Sequence, residues 1–171
     1  MITHWRASPN WNARPAPEHP IDCVVLHADA SHTATGTIDW ITRKESKVSY
    51  HYLIDRDGTV YQCVADLHRA WHAGRSELTG RSDVNDFSIG VSFSNDQQGE
   101  PFHQRQLDAG VELVADLCAK YLIPLPRVVT HAAVATPPGR KHDPGPRFPL
   151  DDFLSRVAAM LARASAPPTR E

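Results

Sequence analysis

The run Gly139-Arg140-Lys141-His142-Asp143-Pro144-Gly145-Pro146 constrains the chain most. Proline lacks the N–H that a helix or an inner strand needs, and its ring clashes with a preceding helical turn. Neither a helix nor a central strand can pass through this run, so it is a stiff loop. The loop displays Lys141, His142 and Asp143 in succession, and His131 stands eight residues before Gly139. A stiff loop can hold a carboxylate and an ammonium group in fixed directions, which zinc chemistry requires. An ordinary Pro-rich surface turn has the same composition, so the rest of the chain must decide between the two.

A length of 171 residues fits one domain of ordinary size. Such a chain buries about 70% of the surface it exposes when unfolded and needs no staples. A hydrophobic content of 41% and a charged content of 22% place it among soluble globular proteins. The net charge of −2, with no long run of one sign, argues against electrostatic nucleic-acid binding and against attraction to acidic membranes. Cys23, Cys63 and Cys118 are odd in number and widely spaced. They read as reduced, buried, small apolar residues, not as a disulfide framework or a paired-cysteine zinc site. The first residues, Met1 to Arg6, lack the apolar core of a signal peptide, and no apolar run is long enough to span a bilayer. The expected place is the cytosol, or the cell wall after release by lysis, and the expected state is a monomer. Ten histidines are more than chance supplies, and a metal site would draw on some of them.

Residues 1 to 20 hold Pro9, Pro15, Pro17 and Pro20 without periodicity, which predicts an irregular arm pinned by Trp5 and Trp11. The apolar, β-branched run from Ile21 to Leu26 predicts a central strand that ends at His27. A helix capped by Thr37 is expected to run to about Lys44. Strands are expected over Ser49 to Asp55 and Thr59 to Val64, joined by the Asp57-Gly58 turn. Residues 65 to 86 read as a long polar loop, and Phe87 to Phe93 as a further strand. Leu107, Val111, Val114, Leu117, Cys118 and Tyr121 recur at helical spacing and predict a helix over about 103 to 122. Val128 to Thr130 is a last short strand that delivers His131. Asp151 caps a closing helix with Phe153, Leu154, Val157 and Leu161 on its apolar stripe, and residues 165 to 171 read as a frayed tail. The fold class is therefore α/β: residues 1 to 171 form a single domain with a central mixed sheet flanked by helices.

His27 and His131 each follow a buried strand, so they can share one edge of the sheet, where Asp143 arrives on the stiff loop. Two imidazoles and a carboxylate form a catalytic zinc set, because they leave the fourth tetrahedral position to water. Zinc lowers the pKa of such a water to about 7 and polarises a carbonyl. Spacing leaves alternatives open. Either histidine can simply close its strand against backbone, and His142 rivals Asp143 as third ligand. His51 is expected to face away from Tyr50 in a structural role.

Six pieces of the chain then stand together: Val24-Val25-Leu26-His27, Ser49 through Val60, Ala70-Trp71-His72-Ala73-Gly74, Asn85 through Val91, Thr130-His131, and Gly139 through Pro146. In this order they resemble the zinc-dependent N-acetylmuramoyl-L-alanine amidases, a family that includes cytosolic muropeptide amidases, phage lysozyme-type amidases and peptidoglycan recognition proteins. The resemblance covers roughly residues 8 to 155. It implies one zinc ion on His27, His131 and Asp143, a substrate of peptidoglycan or muropeptides, and Lys141 as stabiliser of the oxyanion. It sets Tyr50 where the phage and recognition branches carry a site tyrosine, although a half-buried strand aromatic fits that position too. Trp71, His72 and Asn85 are candidate substrate contacts, with Trp71 equally suited to pinning its loop. One departure stands out. Where the cytosolic branch carries a glutamate for general acid/base work, this chain has Ser92, followed by Phe93 and Ser94. Serine cannot serve as a carboxylate base. That favours a phage-like mechanism and gives weight to the alternative of a module that binds peptidoglycan without cutting it.

Overall fold

The computed structural model describes residues 3–15 and 20–165. Among them the strands are β1 Thr3–Trp5, β2 Trp11–Ala13, β3 Cys23–Ala28, β4 Tyr52–Ile54, β5 Val60–Gln62, β6 His68–Ala70, β7 Glu77–Leu78, β8 Arg81–Ser82, β9 Ser88–Phe93 and β10 Val128–Thr130. The helices are α1 Ala34–Ile41, α2 Gln104–Tyr121, α3 His131–Val134 and α4 Leu150–Ser165. A mixed sheet runs β1-β5-β4-β9-β3-β10. Strands β4, β9, β3 and β10 are parallel, and β5 and β1 run the other way.

The apolar run predicted as a central strand is one. β3 is buried throughout, as is its parallel neighbour β9, because both faces of these strands are covered. On one face Val24, Leu26, Ile89, Val91 and Phe93 pack with Leu107, Val111 and Val114 of α2 and Phe153 and Val157 of α4. On the other face Cys23 and Val25 join a smaller cluster with Ala73, Val84, Phe87 and Val134. The three cysteines are buried and unpaired. No helix among the described residues is long and apolar enough to cross a membrane.

Four local expectations need correction. Residues 3–13 of the expected irregular arm carry β1, parallel to β5, and β2, antiparallel to β6. Side-chain anchors that periodicity cannot reveal hold it there. Asn10 Nδ2 donates to Ile41 O at 3.0 Å and Arg43 O at 2.8 Å. The buried Arg14 guanidinium donates to the carbonyls of Asn85, Asp86, Asp66 and Ser88. Second, α1 is capped by Thr33, and its helix ends at Ile41. Thr37 lies inside the helix and donates to Asp29 Oδ2. Third, the expected loop from 65 to 86 contains β6 and the β7–β8 ribbon. Fourth, α4 continues through Ser165, and residues 166–171 of the expected frayed tail lie outside the described residues.

Helix α2 approaches β9 closely through Gly110. A Cβ built there would sit 2.6 Å from Phe93 Cε1 and 3.1 Å from Phe153 Cε2. Phe93 is itself wedged against Phe102, Phe148 and Phe153, so it has nowhere to move. Alanine would improve helix propensity by about 0.8–1 kcal/mol, whereas overpacking a full core costs about 1–3 kcal/mol. Gly110→Ala is therefore expected to lower stability in a urea titration. A gain in the unfolding midpoint would contradict this packing.

Candidate metal centre

The site is built at the carboxyl ends of the parallel strands, where open α/β sheets leave a crevice. Side chains alternate along β3, so His27 falls on the same face as Cys23 and Val25. The register pairs Thr130 of β10 with Leu26 of β3, which puts the next residue, His131, at the level of His27. Thr130 caps α3 by accepting from Ala133 N–H, so His131 opens a one-turn helix instead of extending the strand. Asp143 comes in on the stiff loop, fastened where Ala132 N donates to Asp143 O at 3.0 Å.

The three predicted ligands meet. His27 Nδ1 lies 3.1 Å and His131 Nδ1 3.0 Å from the same oxygen, Asp143 Oδ2. The imidazole centroids are 4.5 Å apart, and one donor atom from each residue falls within 4.8 Å of the others. All three side chains are buried. His142, the rival third ligand, is exposed and outside the cluster.

Proton counting tests whether a metal fits. His131 Nε2 lies 3.0 Å from the Ala73 carbonyl, which can only accept, so Nε2 carries a hydrogen. In the neutral ring Nδ1 is then a lone pair, and it faces another acceptor, the Asp143 carboxylate. A cation must lie between them, either a second proton or a metal ion. His27 can distribute its proton either way, because its Nε2 lies 3.0 Å from His72 Nδ1, which can donate or accept. Burial works against extra protons here and pushes His27 down to about 4. Burial alone would raise the Asp143 carboxyl. Its hydrogen bonds with His131 and His27 more than reverse that, and it stays ionised. Two imidazole lone pairs and a carboxylate oxygen, with the outer imidazole nitrogens tied by further hydrogen bonds, are a donor set that suits zinc.

Behind the ligands lies a second layer of histidine. His72 is buried, and its Nε2 lies 3.2 Å from Ser88 Oγ while Nδ1 faces His27. Its ring rests on Gly90, where a Cβ would come within 2.5 Å, so glycine is required at that position of β9. His51 is fully buried. Its Nδ1 accepts from Gly90 N–H at 2.9 Å, and its Nε2 donates to His68 O.

The three expected substrate contacts also hold the frame of the site, and His72 lines the cleft as well. His72 braces the candidate ligand His27 from below. Asn85 is buried, and its Oδ1 accepts from His72 N and Ala73 N, holding the turn that carries them. Trp71 sends its indole N–H to Asn12 Oδ1 at 2.6 Å, which fastens its loop to β2. A motif match names residues without saying whether they face the ligand or the frame, and the hydrogen bonds here show what each does for the frame.

Above the cluster opens a cleft of about 390 Å³, with Tyr50, Lys141, His142, Arg140 and Asp29 in its lining. Tyr50 precedes β4, its ring centroid 5.2 Å from that of His27. Burial raises its phenol further above neutrality, as do the charges of Asp29 and Asp143. Lys141 is exposed at the same cleft. Arg140 is locked by the carbonyls of Ala73, Arg75 and Thr136. Sequence reading passed over Arg140 and Asp29. Asp29 lies just past β3 and accepts from Ser31 N, Asn95 N, Thr37 Oγ1 and Ser94 Oγ. Its carboxyl is pushed up to about 6 by burial, in spite of these bonds.

The buried imidazoles make stability depend on pH. His27, His51 and His72 are held below the unfolded value of about 6.5 by burial, His27 to about 4 and His51 to about 3. The unfolded chain thus binds protons that the folded chain refuses. Stability is complete above about pH 6.5 and falls as pH drops towards about 4. Asp29 acts in the opposite direction over part of this window, one group against three. Thermal melts of chelator-treated protein are expected to show a clearly lower midpoint at about pH 5 than at about pH 7.5. Equal midpoints would contradict neutral buried histidines.

Comparison with known proteins agrees with the geometry. The sequence profile of the N-acetylmuramoyl-L-alanine amidases matches residues 17–146. The N-acetylmuramoyl-L-alanine amidase AmiD of Escherichia coli (strain K12) is 36% identical over 153 residues, covering 80% of this chain and 53% of AmiD. The 1,6-anhydro-N-acetylmuramyl-L-alanine amidase AmpD of Salmonella typhimurium (strain SL1344) is 33% identical over 167 residues, 88% of each chain. This chain thus spans about half the length of AmiD and most of that AmpD. Among solved structures, a selenomethionine derivative of AmpD superposes with a TM-score of 0.75 at 29% identity, over 91% of this chain and 94% of that one. A complex of E. coli AmiD with anhydro-N-acetylmuramic acid-L-Ala-D-gamma-Glu-L-Lys superposes with a TM-score of 0.73 at 33% identity, over 81% and 58%. PlyL, at 19% identity and a TM-score of 0.68, shares the fold. The chain belongs to the N-acetylmuramoyl-L-alanine amidase family.

Proposed function

We propose that the protein is a zinc hydrolase that cuts the amide between N-acetylmuramic acid and L-alanine in peptidoglycan or its muropeptide fragments. The observation that carries this reading is the convergence of His27 Nδ1 and His131 Nδ1 on Asp143 Oδ2 beneath an open cleft. Zinc, when bound, supplies a Lewis acid and a nucleophile ionised near neutral pH.

The chain's own residues supply the rest. His72, Ser88 and the Ala73 carbonyl fix the orientation of the two imidazoles, so no reorganisation is needed when the reaction begins. Lys141 stands two residues from Asp143 on the stiff loop and brings a positive charge to the cleft in which the lactyl carbonyl oxygen becomes negative. The Tyr50 phenol stays protonated at neutral pH and serves as a donor to that oxygen. Water adds to the carbonyl carbon, the C–N bond breaks, and the peptide leaves as an amine after gaining a proton. Ser92 pairs with Leu53 and His27 in the sheet and cannot take that proton as a carboxylate would. With Ser92 excluded, the proton lost by the attacking water reaches the leaving amine through other groups of the cleft, in which Tyr50 and Lys141 are available as donors.

Ser92 also supports a second reading, a module that recognises peptidoglycan without cutting it. Release of peptide from muropeptides, followed by mass spectrometry, separates the two. Under the hydrolase reading a chelator abolishes release and added zinc restores it. Lys141→Ala is expected to lower kcat by roughly 100- to 1,000-fold with zinc content unchanged. Full-rate cleavage by metal-free protein would overturn the mechanism. Binding to cell walls with no new peptide ends would favour the recognition module.

A further inference from the structure

A hollow of about 670 Å³ opens at the opposite end of β3 from the metal cluster. Ile21, two residues ahead of that strand, lines it, whereas His27 stands six residues further on. At about 3.3 Å per residue the two places are roughly 20 Å apart. Among the described residues nothing lines both this hollow and the metal cleft. Its volume falls in the range of small-molecule sites, about 300–1,000 Å³.

Two leucines in its lining are not explained by folding. Leu122 caps α2 at φ 56°, a left-handed conformation that favours glycine or asparagine, and it stays 87% exposed. Leu67 stands in the turn that His68 N closes on Ala65 O, where polar residues are usual, and it is 74% exposed. Neither gains burial, and Leu122 sits in a strained backbone as well. A single exposed leucine is ordinary. This pair shares one groove with Ile21 and Tyr121, which makes a joined apolar surface.

The charge of the groove is positive. Arg14, His68 and Lys120 line it, and among the described residues no carboxylate does. Arg14 is only 9% exposed. Its terminal nitrogens donate to four carbonyls, and its Nε is left without a partner. The acids whose charges reach it are paired elsewhere, Asp66 with Lys120 and Asp86 with Arg69. Three cations thus face two carboxylates. A buried charge without a counter-ion is unfavourable, and an anion in the groove would supply one.

We propose that this groove is a second ligand site, for a single-chain amphiphile that ends in a carboxylate. The carboxylate lies against Arg14 and Lys120, and the alkyl chain covers Ile21, Leu67 and Leu122. The occupant turns two exposed leucines into buried surface and balances the charge of Arg14. Because Arg14 also holds the carbonyls of Asn85 and Ser88, whose side chains bond to the His72 segment, the site meets the frame of the metal centre from behind.

The test is calorimetric titration of the zinc-loaded full chain with decanoate, kept below its micelle concentration. Decyltrimethylammonium carries the opposite charge on the same chain, and butyrate the same charge on a short one. Decanoate is expected to bind about tenfold more tightly than either. Leu67→Ser combined with Leu122→Asn, which suits the left-handed backbone, should weaken decanoate about tenfold. Lys120→Met, which keeps the stem and removes the charge, should weaken it by a similar factor. Equal binding of decanoate and decyltrimethylammonium would overturn the site. Unchanged decanoate affinity in either variant would do the same, and is the result expected of a carboxylate held on the metal instead. Co-sedimentation with phosphatidylglycerol vesicles, without binding of monomeric decanoate, would assign the leucines to a membrane surface and also overturn it.

Discussion

Two imidazole nitrogens aimed at one carboxylate oxygen are the constraint on which the rest of the site depends. His131 Nε2 is committed as donor to the Ala73 carbonyl, so its Nδ1 meets Asp143 Oδ2 across 3.0 Å as acceptor against acceptor. A pair of that kind is unfavourable in a buried setting until a cation joins it. Much of the surrounding structure serves to keep the three groups in this relation. The β3–β10 register sets the two histidines at one level. The stiff loop is fastened at Ala132 and again through Arg140, and so brings Asp143 in from the third side.

The layer beneath explains residues that have no direct part in the chemistry. His72 needs Gly90 under its ring, and Asn85 holds the backbone that carries His72 and Ala73. Arg14 binds the carbonyls of Asn85 and Ser88 from behind. Each link is a hydrogen bond or a close contact between segments far apart in the chain. The orientation of the candidate ligands is thus braced from the amino-terminal strands to the cleft.

This also explains what could be read from the sequence. Strands β3 and β9 and helices α2 and α4 were legible because apolar periodicity reports burial directly. Strand ends and a Pro-rich loop have few conformations, which made a meeting of His27, His131 and Asp143 one possible reading, and the family resemblance singled it out. The amino-terminal strands were not, since Asn10 and Arg14 hold them through carbonyls that no local pattern reveals. Thr37 and Thr33 are both good caps, and their hydrogen bonds separate them: Thr33 accepts from Gly36 N–H, whereas Thr37 donates to Asp29. The roles of His72, Asn85 and Trp71 depended on which way each side chain points, and spacing along the chain does not carry that information.

The most direct measurement is metal content combined with zinc-edge X-ray absorption on zinc-reconstituted protein. The account predicts one zinc ion per chain, with two imidazole nitrogens and a carboxylate oxygen at about 2.0–2.2 Å, and loss of the ion in His131→Ala. Equal zinc in His131→Ala and wild type, or sulfur in the coordination shell, would contradict it.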